Sequence, residues 1–183
     1  IIELGKYFAT VILALIIHAS VVYPALLLWL AKTNPIKFYQ KMREPMLFAF
    51  STSSSGATLP VTLLTVEKKL GVDNSIASFS VPLGATINMD GTAIMQGVAT
   101  VFIAQYFHVD LVFTDYLMVI LTATMASIGT AAVPGVGLIM LTMVLTQVGL
   151  PVEGIALIIG VDRLLDMTRT AVNVAGDAMV AIT

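Results

Sequence analysis

The chain has 183 residues, 58% of them hydrophobic, with 9 basic and 11 acidic side chains and a formal charge of −2. With a mean hydropathy of +0.97 it is greasier than soluble domains, whose apolar share is about 45–50%. The weak net charge provides no footprint for nucleic acid, and the absence of cysteine excludes a disulfide or thiolate-metal framework.

Residues 1–6 do not form the basic region of a cleavable signal peptide. They read as the end of a loop, so the chain is expected to be part of a longer protein. Tyr7 to Ala31, YFATVILALIIHASVVYPALLLWLA, is flanked by Lys6 and Lys32 and carries Trp29 near its end. It exceeds the roughly 20 residues needed to cross a bilayer, and its flanks suit an interface. Pro24 is expected to bend it. His18 reads as a histidine packed on a neighbouring helix, with a ligand as the alternative. KTNPIKFYQKMREP follows as a polar, net-basic connection, which favours a cytoplasmic side.

Met46 to Val66, MLFAFSTSSSGATLPVTLLTV, has hydroxyl residues from Ser51 to Ser55, then Gly56 and Pro60. That pattern predicts two half-helices around a polar tip, and hydrocarbon tolerates such a tip only where protein or a watery cavity satisfies it. The next segment, Ile76 to Val109, is interrupted at GATINMDGT. Its Asp90 is expensive at bilayer depth, about 2.5–3.5 kcal/mol unless paired or coordinated. No basic residue lies between Lys69 and Arg163, so any cationic partner must come from elsewhere. Tyr116 to Val148 repeats the hairpin design, with IGTAAVPGVG between two apolar halves. Two interrupted segments in one apolar chain point to a transporter whose breaks locate the substrate site. The methionines between Met118 and Met167 read as packing filler.

The last segment runs from Val152 to Thr183. Asp162, Asp166, Arg169, Asn173 and Asp177 fall within roughly 80° of helical arc, so one narrow polar stripe faces one way, with Arg163 off to the side. Three acids against one base leave the stripe net negative. Asp162, Asp166 and Arg169 as an ion-paired lock between helices is the structural alternative, but uncancelled buried charge is expensive, so external cations are expected. The available donors are carboxylates, amides, hydroxyls and freed carbonyls, hard oxygens that suit Na⁺; a proton carried on a buried carboxylate is the alternative. Arg169 offers a bidentate match to a carboxylate and Asp166 an acceptor for an ammonium, which together suggest an acidic amino acid as cargo.

The motifs SSSGATLP (53–60), PLGATINMDGT (82–92), ASIGTAAVPGVG (126–137) and DRLLDMTRTAVNVAGD (162–177), in this order, resemble the dicarboxylate/amino acid:cation symporter family of glutamate and aspartate transporters. The resemblance implies an all-α integral membrane fold. It assigns helix 6 to about 5–32, re-entrant hairpin 1 to about 35–70, interrupted helix 7 to about 75–109, re-entrant hairpin 2 to about 115–149 and helix 8 to about 151–183. Helix 3 and the N-terminal scaffold helices are not in the chain. By the same resemblance Arg169 binds the substrate side-chain carboxylate and Asp166 its amino group. Thr92, Thr170 and Asn173 join them, and the backbone around Ser54, Ser55, Val133 and Gly137 closes over the cargo. One sodium site involves Asp177 with Gly84, Asn88 and Asn173. A second uses Thr86 with Ser127, Ile128 and Thr130, and a third Asn88 and Asp90 with helix 3.

Ser53 and Met167 stand where relatives carry a supplementary arginine, which leaves aspartate against glutamate open. Gln96 replaces the glutamate of potassium-countertransporting relatives, and NMDGT looks like the sodium-coupled branch. The family implies elevator-type alternating access, a homotrimer, contact with membrane lipid and a multi-pass location in the cell membrane, with no enzymatic role. The alternatives are proton coupling, or a cargo of neutral amino acids or C4-dicarboxylates.

Overall fold

A computed structural model describes residues 2–183, and all regular structure among them is helical. The first segment comprises α1 (Ile2–Ile17), a π-helical turn (His18–Val22) and α2 (Tyr23–Trp29), joined without a break. It runs for 28 residues, its most apolar 18-residue window has a mean hydropathy of 2.4, and among the described helices it alone is long and apolar enough to cross a membrane by that measure. Where a bend was expected at Pro24, the helix carries a π turn just before it. Proline has no N–H to return to the carbonyl four residues back, and the wider turn accommodates that loss.

Helix α3 (Pro35–Thr52) corrects the reading of residues 35–45 as a connection: the polar stretch is helical. The Asn34 side chain accepts from the amides of Ile36 and Lys37 at 2.9 and 3.2 Å, and Pro35 follows it at the first helical position, a strong start signal. Phe38, Met42, Pro45 and Ala49 are its buried residues, at helical spacing beneath the exposed charges. Helix α4 (Ser55–Thr65) runs on into a π turn (Val66–Leu70). Asp73 then caps α5 (Asn74–Ile87) through the Ser75 amide at 2.8 Å. The chain breaks at Asn88 and Met89 before α6 (Asp90–Tyr106). The pair α7 (Phe113–Ser127) and α8 (Val136–Gln147) leans on α6.

Helix α9 (Ile155–Ile182), about 42 Å long, is the axis of the molecule and packs against α1 to α6 and α8. Every residue from Arg169 to Met179 is buried. Ala171, Ala175, Gly176 and Ala178 keep that stretch thin, so neighbouring backbones approach closely. The apolar core around it includes Val11, Phe38, Val81, Met95 and Leu141.

Candidate functional site

Two loops and one helix make the first half of the site. After α3 the chain turns at Ser53, whose φ of +53° is left-handed, and Ser54 caps α4 by accepting from the Ala57 amide at 3.1 Å. The loop between α7 and α8 carries Gly129 and Gly135 at φ of +98° and +80°, conformations that favour glycine. The two tips touch. The carbonyl of Ala132 accepts from the Ser54 hydroxyl at 2.7 Å and from the Gly56 amide at 3.1 Å.

Beneath them lies the α9 stripe. Arg169 is 1% exposed. Its Nη1 lies 2.8 Å from Oδ1 of Asp162, its Nη2 3.0 Å from Oδ1 of Asp166, and its Nε also donates to that Asp166 oxygen. The other Asp166 oxygen accepts from the Gly135 amide at 2.9 Å, so the stripe is tied to the loop above it. A Cβ on Gly137 would lie 2.9 Å from Nη2 of Arg169, so a larger residue there must push the guanidinium from its place. Asn173 accepts from the Gly91 amide at 2.8 Å and donates to the Thr92 hydroxyl at 3.3 Å. The Thr170 hydroxyl bonds back to the Asp166 carbonyl at 2.7 Å.

Ser55, Thr92, Val133 and Gly137 line a crevice together with Asp166, Arg169, Thr170 and Asn173. Of the residues expected to hold the cargo, only Ser54 lies off its wall. Ser53, singled out above only as the place of an arginine in relatives, lines it as well, with Thr130, expected at a sodium site, and Met89, Ala131 and Ala132, which sequence reasoning missed. The Ser53 hydroxyl is buried without a protein partner. The crevice offers about 20 Å³, room for about one water. Larger clefts exist, such as one of about 600 Å³ beside Thr33, Lys37 and Asp73, but none of Asp162, Asp166, Arg169 and Asp177 lines it.

The cation half lies where the α5–α6 break meets α9. Asp177 is 2% exposed, and its side chain is partnered by Nδ2 of Asn88 at 3.1 Å, with no base in ion-pair reach among the described residues. A Cβ on Gly84 would stand 3.0 Å from Oδ1 of Asp177, so that helix face presses directly on the carboxylate. Gly84, Asn88, Asn173 and Asp177 thus come together. The Thr86 carbonyl accepts from the Gly129 amide at 2.9 Å, which joins it to the loop carrying Ser127, Ile128 and Thr130. Ser127 and Thr130 are buried, while the Ile128 side chain is exposed. No group of three or more His, Asp or Glu side chains forms a metal-binding cluster among the described residues. The donors are amide, hydroxyl and carbonyl oxygens with a single carboxylate, a set that fits a hard monovalent cation rather than a transition metal.

Asp90 is off the crevice wall and its carboxylate is bonded to neither Asn88 nor Asp177, but it opens α6 beside the cation half. Its side chain is 33% exposed, and Oδ2 lies 3.0 Å from Nε2 of His18 and 3.1 Å from the Tyr23 hydroxyl. Two hydrogen-bonding partners of Asp90 thus come from the first segment, and His18 does more than fill space. The stripe also needs a refinement: its excess acid is not spread evenly, because Asp162 and Asp166 both close on Arg169 whereas Asp177 sits alone with Asn88. The Gln96 side chain is fully buried and donates to the Gly137 carbonyl at 3.2 Å.

The sequence profile described as "Sodium:dicarboxylate symporter family" matches residues 1–183. The chain is 50% identical over 176 residues to "Excitatory amino acid transporter 3" of Mus musculus, covering 96% of this chain and 34% of that protein. It is 48% identical over 176 residues to "Excitatory amino acid transporter" of Caenorhabditis elegans, covering 96% and 35%. With "Excitatory amino acid transporter 2" of Homo sapiens the identity is 46% over 176 residues, covering 96% and 31%. The chain spans about a third of the length of these curated relatives. Matched along its whole length, with the motifs gathered around one buried stripe, the chain belongs to the sodium:dicarboxylate symporter family.

Proposed function

We propose that the protein carrying this chain is a sodium-coupled symporter of acidic amino acids, aspartate or glutamate, in the cell membrane. One observation carries the reading: a buried arginine beneath two touching loop tips sits two turns along α9 from a buried aspartate whose side chain is partnered by an amide. The arginine suits an anionic cargo. Leaving Asp177 ionised without a compensating cation costs several kcal/mol, and Na⁺ travelling with the cargo supplies that charge. The names of the relatives, all excitatory amino acid transporters, support the cargo, and the family description supports sodium.

In this reading the first segment spans the bilayer and α3–α4 and α7–α8 are re-entrant hairpins. At 15 and 12 residues, α7 and α8 reach about 22 and 18 Å, short of a hydrocarbon core of about 30 Å. The hairpin tips bind the cargo α-carboxylate through amides. The cargo side-chain carboxylate takes Arg169 from Asp162, and its ammonium takes Asp166 from Gly135. Since the crevice holds about one water, cargo enters only when the Ala132 latch opens, which makes α7–α8 the gate. Elevator-type movement within a homotrimer completes the reading by family likeness. The family description and the names of the relatives are those of transporters, which supports a role in transport rather than catalysis.

Proteoliposomes containing the full-length protein test the proposal. An inward sodium gradient drives aspartate uptake above equilibrium; equal uptake from a proton gradient with sodium absent rejects the coupling. One observation favours a second cargo. Asp166 already spends both oxygens, on Arg169 and Gly135, so a C4-dicarboxylate without an ammonium leaves those bonds intact. Competition by succinate against aspartate, glutamate, serine and alanine decides between them.

A further inference from the structure

Tyr23 is fully buried, and its hydroxyl lies 3.1 Å from Oδ2 of Asp90 and 3.3 Å from the Val172 carbonyl oxygen. The first segment, the start of α6 and the core of α9 therefore meet at one phenolic oxygen. His18 brings Nε2 to the same Oδ2 at 3.0 Å, its ring edge-on to Tyr23 with centroids 4.6 Å apart. The hydrogen bonds to the Asp90 carboxylate among the described residues all fall on Oδ2.

The backbone is built for this convergence. His18 and Tyr23 are five positions apart, which on an α-helix separates their directions by about 140°. The π turn closes that angle: the Tyr23 amide donates to the His18 carbonyl, five residues back, so both side chains reach one carboxylate. Pro24 has no N–H for the Ser20 carbonyl, which removes a bond that would favour the α register. Single π turns inside α-helices are rare and recur at functional positions. On the far side α9 presents Gly176, where a Cβ would collide with the Tyr23 hydroxyl and lie 2.5 Å from Nδ2 of Asn88. Asn88 in turn holds Asp177. The joint thus abuts the cation half of the site, and Tyr23 takes no part in the wall of the cargo crevice.

We propose that Tyr23 is a positioning residue for sodium binding, and that the π turn exists to deliver it. The inference rests on the sodium-coupled reading of the site. A hydroxyl has one proton to give, and a carboxylate competes for it better than a neutral carbonyl. With Oδ2 occupied by the two donors of the first segment, the carboxylate is fixed in rotation and Oδ1 is left for a cation. Without the hydroxyl, Asp90 is held by His18 alone and α2 loses its polar tie to α9. Sodium affinity then falls, while the contacts of Arg169 are untouched.

The experiment uses the full-length protein with Tyr23→Phe, which keeps the buried ring, and independently Tyr23→Met, which keeps a flexible apolar side chain in the same space without a hydroxyl. Two quantities are read: the sodium concentration giving half-maximal aspartate binding, and the aspartate Kd at saturating sodium. A third is the rise in melting temperature on adding sodium without aspartate. Both variants are expected to raise the half-saturating sodium concentration roughly 5- to 30-fold, as loss of a charge-assisted hydrogen bond implies, and to shrink the sodium-induced melting shift. The Kd at saturating sodium stays within about twofold of wild type. A half-saturating concentration unchanged in both variants overturns the proposal. So does an equal loss of aspartate affinity at low and saturating sodium, which marks a general packing role. Should Tyr23→Phe fail to fold, Tyr23→Met decides alone by the same criteria. If wild-type binding ignores sodium, the coupling reading falls and this inference with it; a failure confined to the variants leaves the coupling reading standing.

Discussion

Replacing Arg169 by glutamine removes the one buried cation of the stripe. The guanidinium is held by Asp162 at 2.8 Å and Asp166 at 3.0 Å, with 1% of its side chain exposed. Removing it alone strands two buried acids, which costs about 3–5 kcal/mol of stability and confounds any binding result. The informative protein is therefore the double variant Asp162→Asn, Arg169→Gln. It deletes one positive and one negative charge together and leaves both positions able to hydrogen bond. Hydrogen bonds to a charged group contribute about 1.5–3 kcal/mol, so aspartate affinity at saturating sodium should fall by roughly 10- to 150-fold. Serine and alanine, which have no distal carboxylate, should lose far less. Isothermal titration of all three amino acids against the full-length protein reads the difference. Aspartate affinity within about threefold of wild type in a double variant that melts cooperatively refutes the role given to Arg169.

Three further outcomes are set by the geometry. Gly137→Ala places a Cβ 2.9 Å from Nη2 of Arg169 and 3.3 Å from Cε of Met95; overpacking of about 1–3 kcal/mol should weaken aspartate binding about tenfold or more, measured by the same titration. Asp177→Asn removes the isolated buried carboxylate, so the sodium needed for half-maximal aspartate binding should rise at least about tenfold; an unchanged sodium dependence assigns the cation elsewhere. Ser54→Ala deletes the latch to the Ala132 carbonyl and the cap on the Ala57 amide. A loss of about 0.5–2 kcal/mol should appear as faster hydrogen exchange in residues 128–135 and faster aspartate dissociation.

The stripe was legible because its period is carried by side chains: Asp162, Asp166, Arg169, Asn173 and Asp177 lie on one face of any helix through 155–182, and α9 is that helix. Both loop tips were legible for a similar reason, since runs of hydroxyls, glycine and proline interrupt an apolar period. Residues 35–45 misled because Lys37, Lys41, Arg43 and Glu44 are interleaved with the apolar positions and bounded by two prolines. Phe38, Met42 and Ala49 nonetheless keep helical spacing, and Asn34–Pro35 marks the start. What was not legible lies in the backbone or between segments. A π turn shifts one hydrogen bond and leaves little trace in sequence beyond Pro24. The partnership of Asp90 with His18 spans 72 positions, and neither residue signals the other. The contact of Gly56 with Ala132 joins two loops whose separate glycines gave no indication that they touch.

The central claim, that buried acids are neutralised by sodium ions bound with an anionic cargo, is tested most directly by equilibrium aspartate binding to the wild-type full-length protein over a series of sodium concentrations at fixed pH and ionic strength. The apparent Kd should fall steeply as sodium rises, with a dependence greater than first order, and choline should not substitute. A Kd that is indifferent to sodium but follows pH contradicts the claim and assigns the charge of Asp177 to a proton.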